Sequence, residues 1–148
     1  MKSLVFDRDR VGEWVKSRIP SVDTWGNEYT AIGWERDGEL LCGVVYNHFS
    51  GNDIAMHVAG EGLWATPAVL RAFFIYPFHQ LKCQRVTAYV TSKNRKCLTL
   101  VERLGFKPEG CLREGSIDDD LLIFGMLRRE CRWVETVNGQ GLKFPANA

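Results

Sequence analysis

The sequence has no apolar run approaching the ~18 residues of a membrane-spanning helix. Its opening, MKSLVFDRDRVG, also lacks the apolar centre of a secretory signal. A cytoplasmic protein with no membrane partner is expected. Cysteine supplies no framework: Cys42, Cys83, Cys97, Cys111 and Cys131 are odd in number, far apart and without a CxxC pair. Reduced thiols are therefore expected rather than disulfides or a zinc site. The three histidines, His48, His57 and His79, show none of the tight spacing of helical metal motifs, so no metal is expected. An excess of one charge is missing too, because 19 Lys and Arg face 18 Asp and Glu for a formal +1. That balance argues against a chain whose main work is coating nucleic acid or anionic lipid. Repeats, low-complexity tracts and internal linkers are likewise absent from the sequence.

What is present is an ordinary globular composition: 148 residues, 45% hydrophobic and 25% charged. A chain of this length buries about 68–70% of its unfolded surface, enough for one domain and too little for two. A single domain over 1–134 is expected, followed by a polar tail over 135–148, ETVNGQGLKFPANA.

Periodicity places the elements. A short strand over Ser3 to Phe6 precedes a helix over Asp9 to Arg18, whose Val11, Trp14, Val15 and Ile19 recur at helical spacing before Pro20. Three β-branched and aromatic runs follow, separated by Asp37-Gly38 and Ser50-Gly51-Asn52, an antiparallel meander. Thr66 suits an N-cap and Pro67 the first helical position, ahead of Val69, Leu70, Phe73, Phe74 and Phe78 on one face, with Pro77 kinking or ending that helix. Arg85 to Thr91 reads as a strand. Ser92 can cap a further helix carrying Cys97, Leu98, Val101 and Leu104, which Gly105 stops. Two strands, Phe106 to Arg113 and Asp120 to Leu127, flank the loop EGSIDDD. The order implies a mixed sheet with helices on both faces.

Residues 85–127 carry Asn94, Gly105-Phe106, Glu109-Gly110 and Arg113 in order. This stretch closely resembles the GCN5-related N-acetyltransferase superfamily, especially its ribosomal-protein alanine acetyltransferase-like branch, and the upstream meander and helix follow the family's element order. The resemblance implies an α/β (α+β) fold, a mixed and mostly antiparallel twisted sheet of about six or seven strands splayed between the fourth and fifth. It implies an acetyl-CoA-dependent N-acetyltransferase that transfers directly to a primary amine, either a protein N-terminus or a small-molecule amine. Acetyl-CoA would be the cosubstrate. Backbone groups near Met56 and Val58 would pair with the pantetheine amides as an added strand does. Gly62, Leu63, Trp64, Ala65 and Thr66 would offer a helix N-terminus to the phosphates, and Asn94, Arg95 and Lys96 would complete the cofactor site.

Two departures from the family pattern stand out. The phosphate loop is GEGLWATP, which places Glu61 where the family commonly has a cation, although Lys82, Arg85, Lys93, Arg95 and Lys96 bring basic charge nearby. The tyrosine that many members carry seven residues after the Asn94 position is Val101, which excludes that thiol-protonating acid. In the alanine acetyltransferase-like branch a Ser tends to stand three residues after that Asn, and here the position is Cys97. Cys97 is accordingly the first candidate for the acid, against the alternative that it packs as a small hydrophobe. For the base the candidates are Glu114, with Asp118, Asp119 and Asp120 beside it, and His57; each also reads as a solvated turn or a packed side chain. The acidic loop could instead attract an ammonium-bearing acceptor.

Two other classes stay open. The altered loop and missing tyrosine suit a non-catalytic acyl-CoA-binding or protein-interaction domain, and Lys82 to Lys96 with Tyr89 suit, more weakly, a nucleic-acid surface. Phe78, Leu81 and the final strand belong either to the core or to a homodimer contact.

Overall fold

The computed structural model describes residues 1–134; the expected tail over 135–148 lies outside the described residues. Strand β1 (Lys2–Val5) leads into α1 (Arg8–Lys16), then β2 (Tyr29–Arg36), β3 (Glu39–Asn47) and β4 (Ala55–Gly60). Helix α2 (Pro67–Ile75) continues as a π-helical turn (Tyr76–Gln80), followed by β5 (Arg85–Thr91), α3 (Arg95–Leu104), β6 (Lys107–Ser116) and β7 (Asp119–Leu127). The seven strands form one sheet in the order β1-β2-β3-β4-β5-β7-β6. All pairs are antiparallel except β4 with β5.

Local chemistry accounts for most boundaries. Asp7 caps α1 by accepting from the Arg10 amide at 3.1 Å, so the helix starts one residue earlier than the apolar spacing predicts. Positive φ at Asp37 (52°) and Gly38 (87°) makes the β2–β3 turn. Thr66 caps α2 with Pro67 behind it, as the sequence implies.

Pro77 cannot donate to the Phe73 carbonyl. The Tyr46 hydroxyl fills that gap with a 2.5 Å bond, and the chain closes a wider turn in which the Leu81 amide donates to Tyr76 at 2.9 Å. Pro77 therefore widens the helix instead of ending it.

At α3 the capping residue is Asn94, whose Oδ1 accepts from the Cys97 amide. Ser92 instead donates to Asp119. The expected EGSIDDD loop is mostly strand: β6 runs to Ser116 and β7 starts at Asp119, with Glu114 (φ 55°) and Asp118 (φ 58°) absorbing the irregular register.

Two cores result. Helix α1 covers one face of β2 to β4, where Val11, Val15, Trp25, Ala31, Leu40, Val45 and Ala59 are buried. It sits so close that a Cβ on Gly43 would come within 2.9 Å of Val11 and Val15. On the other face α2 and α3 share the larger cluster, which includes Val44, Tyr46, Met56, Phe73, Val86, Val90, Val101 and Phe124. No helix among the described residues is long and apolar enough to cross a membrane. Among the described residues Cys42, Cys83, Cys97, Cys111 and Cys131 form no disulfide.

Candidate functional site

The parallel pair is held at one point. Ala55 and Thr87 are its single register match, the Asn52 carbonyl accepts from the Gln84 and Arg85 amides, and the Ile54 carbonyl accepts from Thr87. Asp53 strengthens this vertex: both of its carboxylate oxygens accept from the Thr87 hydroxyl, at 2.8 and 2.9 Å, and Arg85 approaches to 3.5 Å. Arg85 also bonds Glu109 at 2.7 Å. Beyond the vertex β4 and β5 diverge.

The direction of the free backbone groups follows from the bonds at each end. A strand residue points its N–H and C=O to one side, and its neighbours point theirs to the other. The Glu61 amide donates to Leu41 on β3, while the Ile54 carbonyl faces β5. Residues 55, 57 and 59 therefore pair with β3, the Met56 amide is taken up by the Thr87 carbonyl at the parallel match, and the Met56 carbonyl with the backbone groups of Val58 and Gly60 opens into the gap. On the opposite wall Arg85 and Thr87 face β4, which leaves Tyr89 and Thr91 facing the gap. The splay thus presents two unpaired strand edges inside a cleft of about 1030 Å³.

Most of the anticipated residues meet there. Met56, His57, Val58, Gly62, Trp64, Asn94, Lys96 and Cys97 all border the cleft, whereas Leu63, Ala65, Thr66, Arg95 and Glu114 do not. Leu63 is fully exposed, and the Thr66 hydroxyl is engaged as a cap with the Val69 amide. Trp64 is buried, with its indole lying over Gly60; any side chain on Gly60 would run into that ring. Asn94 keeps only its amide N–H₂ for a ligand, since its oxygen caps α3. Glu114 stands on the exposed hairpin, where its amide donates to Asp120 at 2.9 Å.

The electrostatics resolve the oddity of Glu61. Its carboxylate is paired with Arg18, whose Nε and Nη2 donate at 2.9 and 2.7 Å, and the guanidinium stacks 3.6 Å over the Trp14 ring. Sequence reasoning missed Arg18, because a partner 43 residues away leaves no local signal. Of the basic stretch, Arg85 is held by Glu109 and Asp53, and the Lys93 ammonium donates to the Asp118 carbonyl at 2.8 Å. Lys96 is the basic residue of that stretch on the cleft wall. Asp119 accepts from Ser92 and from the Lys93 and Asp120 amides, which holds its carboxyl below the usual range. The acidic loop is thus engaged in fixing its own hairpin to the start of α3.

Cys97 and His57 differ from their free counterparts in opposite ways. Burial raises the Cys97 thiol above its ordinary value, so it holds its proton at neutral pH. Burial, with a smaller push from His48, lowers His57 to about 4. His57 is neutral, and its Nε2 lies 2.9 Å from Asn47 Oδ1.

Known proteins share this architecture. YdaF of Bacillus subtilis, provisionally named a ribosomal N-acetyltransferase, is 27% identical over 86% of this chain and 83% of its own length. A solved structure described as a probable acetyltransferase matches with TM-score 0.61 and 25% identity over 70% of this chain. This chain spans just under two thirds of that one, 64%. The fold also matches an F149G variant of the spermidine N-acetyltransferase SpeG from Vibrio cholerae, with TM-score 0.73 and 14% identity over 90% of this chain and 96% of that one. No family model matches. A mixed seven-stranded sheet splayed at its one parallel pair, shared with such relatives, defines an N-acetyltransferase enzyme. In sequence and fold the chain is similar to N-acetyltransferases of this kind.

Proposed function

We propose that the chain transfers an acetyl group from acetyl-CoA to a primary amine, a protein N-terminus or a small-molecule amine, by direct attack in a ternary complex in the cytoplasm. The observation that carries this reading is the splay itself: the Met56 carbonyl and the Val58 backbone groups face a cleft of about 1030 Å³. A pantetheine chain has amides that complete such an edge as an added strand would. At the mouth, the Gly62 and Trp64 amides and Lys96 suit phosphates. The Arg18 pairing removes the repulsion that Glu61 would otherwise exert.

Acetyl-CoA supplies an activated thioester at this site. A C–N bond forms to the amine and the C–S bond breaks; the nitrogen gives up one proton and the sulfur takes one. Cys97 lines the cleft and holds a proton on its Sγ at neutral pH, which supports it as the group that protonates the departing sulfur and recovers the proton from solvent. On the amine side His57 borders the cleft, whereas Glu114 does not. Phe78 is fully buried, so a homodimer contact would fall to Leu81 and the final strand β7.

The test is a thermal-shift titration with acetyl-CoA, CoA and ATP as the nucleotide control, followed by thiol release against a panel of amines. Acetyl-CoA at 100 times its Kd should stabilise the fold by about 2.7 kcal/mol. No shift at millimolar ligand sinks the reading. A shift without turnover over a broad panel replaces it with a non-catalytic acyl-CoA-binding domain. Full turnover in Cys97→Ala removes the acid role.

A further inference from the structure

We propose that Asn47 is a positioning residue: it holds His57 as the Nε2–H tautomer, so that the bare Nδ1 meets the cleft and accepts a hydrogen bond from the N–H of the acceptor amine. The inference rests on the acetyltransferase reading of the cleft and assigns a group to its amine side.

Asn47 is a buried polar residue at the end of β3, 6% exposed. Its Nδ2 faces the Trp25 carbonyl at 3.4 Å. A carbonyl can only accept, so this contact fixes which end of the amide points where. The Asn47 oxygen is left facing His57 Nε2 at 2.9 Å, and an amide oxygen also only accepts, so the proton lies on Nε2. Neutral imidazole then carries its lone pair on Nδ1.

The surroundings make the arrangement rigid. The Trp25 ring lies 4.9 Å from the imidazole, centre to centre, and its own Nε1 donates to the Gly12 carbonyl of α1 at 2.8 Å. Helix α1, the loop after it and β3 thereby all fix one imidazole on β4. Arg71 Nε is the buried side-chain nitrogen or oxygen without a partner among the described residues. The hydrogen bond that the imidazole makes is at Nε2, which leaves Nδ1 as its second polar atom, and His57 lines the cleft. His48, also on the cleft wall, adds to burial in disfavouring a proton on the ring. Arg18 and Glu61 at the same mouth are paired with each other.

Neutral His57 suits acceptance rather than storage of a proton. An acceptor that does not charge above pH 5 can orient a neutral amine without drawing counter-ions into a half-dry cleft.

The test has a readout independent of turnover. In ¹⁵N-histidine-labelled protein, heteronuclear spectra should show His57 with a protonated Nε2 and a bare Nδ1 that titrates near the pH of 4 set by burial. Asn47→Leu should lose that single tautomer. It should also lower kcat/KM for the amine by about tenfold, the worth of one oriented hydrogen bond, with acetyl-CoA affinity unchanged. Should Asn47→Leu fail to fold, Asn47→Asp places a carboxylate on Nε2–H; the His57 titration should move upward and a new acidic limb should enter the kcat/KM profile. An Nδ1–H tautomer in the wild type, an unmoved titration in Asn47→Asp, or full kcat/KM in a folded Asn47→Leu overturns the proposal. A protein with the Nε2–H tautomer but no acetyl-CoA binding overturns the acetyltransferase reading and leaves the tautomer assignment standing.

Discussion

Strands β3 and β6 are both nine or ten residues long, yet they live in opposite environments. From Cys42 onward β3 is buried residue by residue, because α1 lies on one of its faces and α2 on the other. Strand β6 is exposed along nearly its whole length, pairs only with β7 and has Leu112 46% exposed. The first half of the sheet is therefore a three-layer core, and the second half is an arm covered on one side. Where the two halves meet, a single register match joins them. That weak seam is the site: a cleft with unpaired strand edges exists because packing holds the first half rigid while the second half is free to diverge.

Substitutions test this contrast, beginning with the largest expected effect. Ile32→Ala on β2, at a position with no exposure, should destabilise by about 2–5 kcal/mol in urea unfolding. Acidification comes next. His57 has its folded value depressed from 6.5 to about 4. The folded state thus resists the proton that the unfolded chain accepts. The associated stability is fully present above pH 6.5 and is lost as pH falls toward 4, an effect of about 3 kcal/mol. His57→Gln should flatten that part of the stability curve between pH 7 and 4; parallel curves would show that the ring is not held neutral. Tyr46→Phe should remove the partner of the Phe73 carbonyl and lower stability by about 1–3 kcal/mol, the cost of a buried unsatisfied acceptor. A smaller value would mean that water reaches the widened turn. Leu112→Ser on β6 should change stability by less than about 0.5 kcal/mol. A loss comparable with Ile32→Ala would show that the arm is covered in solution and would end the two-half description.

The elements themselves were legible because their signals are local. The 66–67 cap, the turn at 37–38, the stop at Gly105 and the alternation of β5 all sit within a few residues of the structure they specify. The errors have physical causes of the same range. Ser92 and Asn94 are both good caps, and the choice between them was made by Asp119, 27 residues away, which accepts from Ser92. The acidic loop looked solvated, yet the strands of the hairpin extend through most of it, with Asp118 at positive φ in the turn and Glu114 at positive φ in the irregularity of β6.

The site was legible only in part. Resemblance pointed to β4 and the start of α3, and Met56, His57, Val58, Asn94, Lys96 and Cys97 do meet at the cleft. Glu114 was a reasonable candidate base by its neighbourhood in sequence, but the hairpin keeps it off the cleft wall. Asn47 gave one faint signal, a polar side chain closing an inward apolar run, and nothing in the sequence said which histidine it would meet.

The sequence alone determined the order, type and approximate limits of the elements, because caps, turn residues and apolar periodicity act over one to four positions. Only the tertiary structure decided what those elements do together. The Asp53–Thr87 vertex, the Arg18–Glu61 pair across the mouth and the Asn47–His57 contact each join residues from different elements. Such contacts depend on how the faces pack against one another, and no local pattern in the chain encodes them.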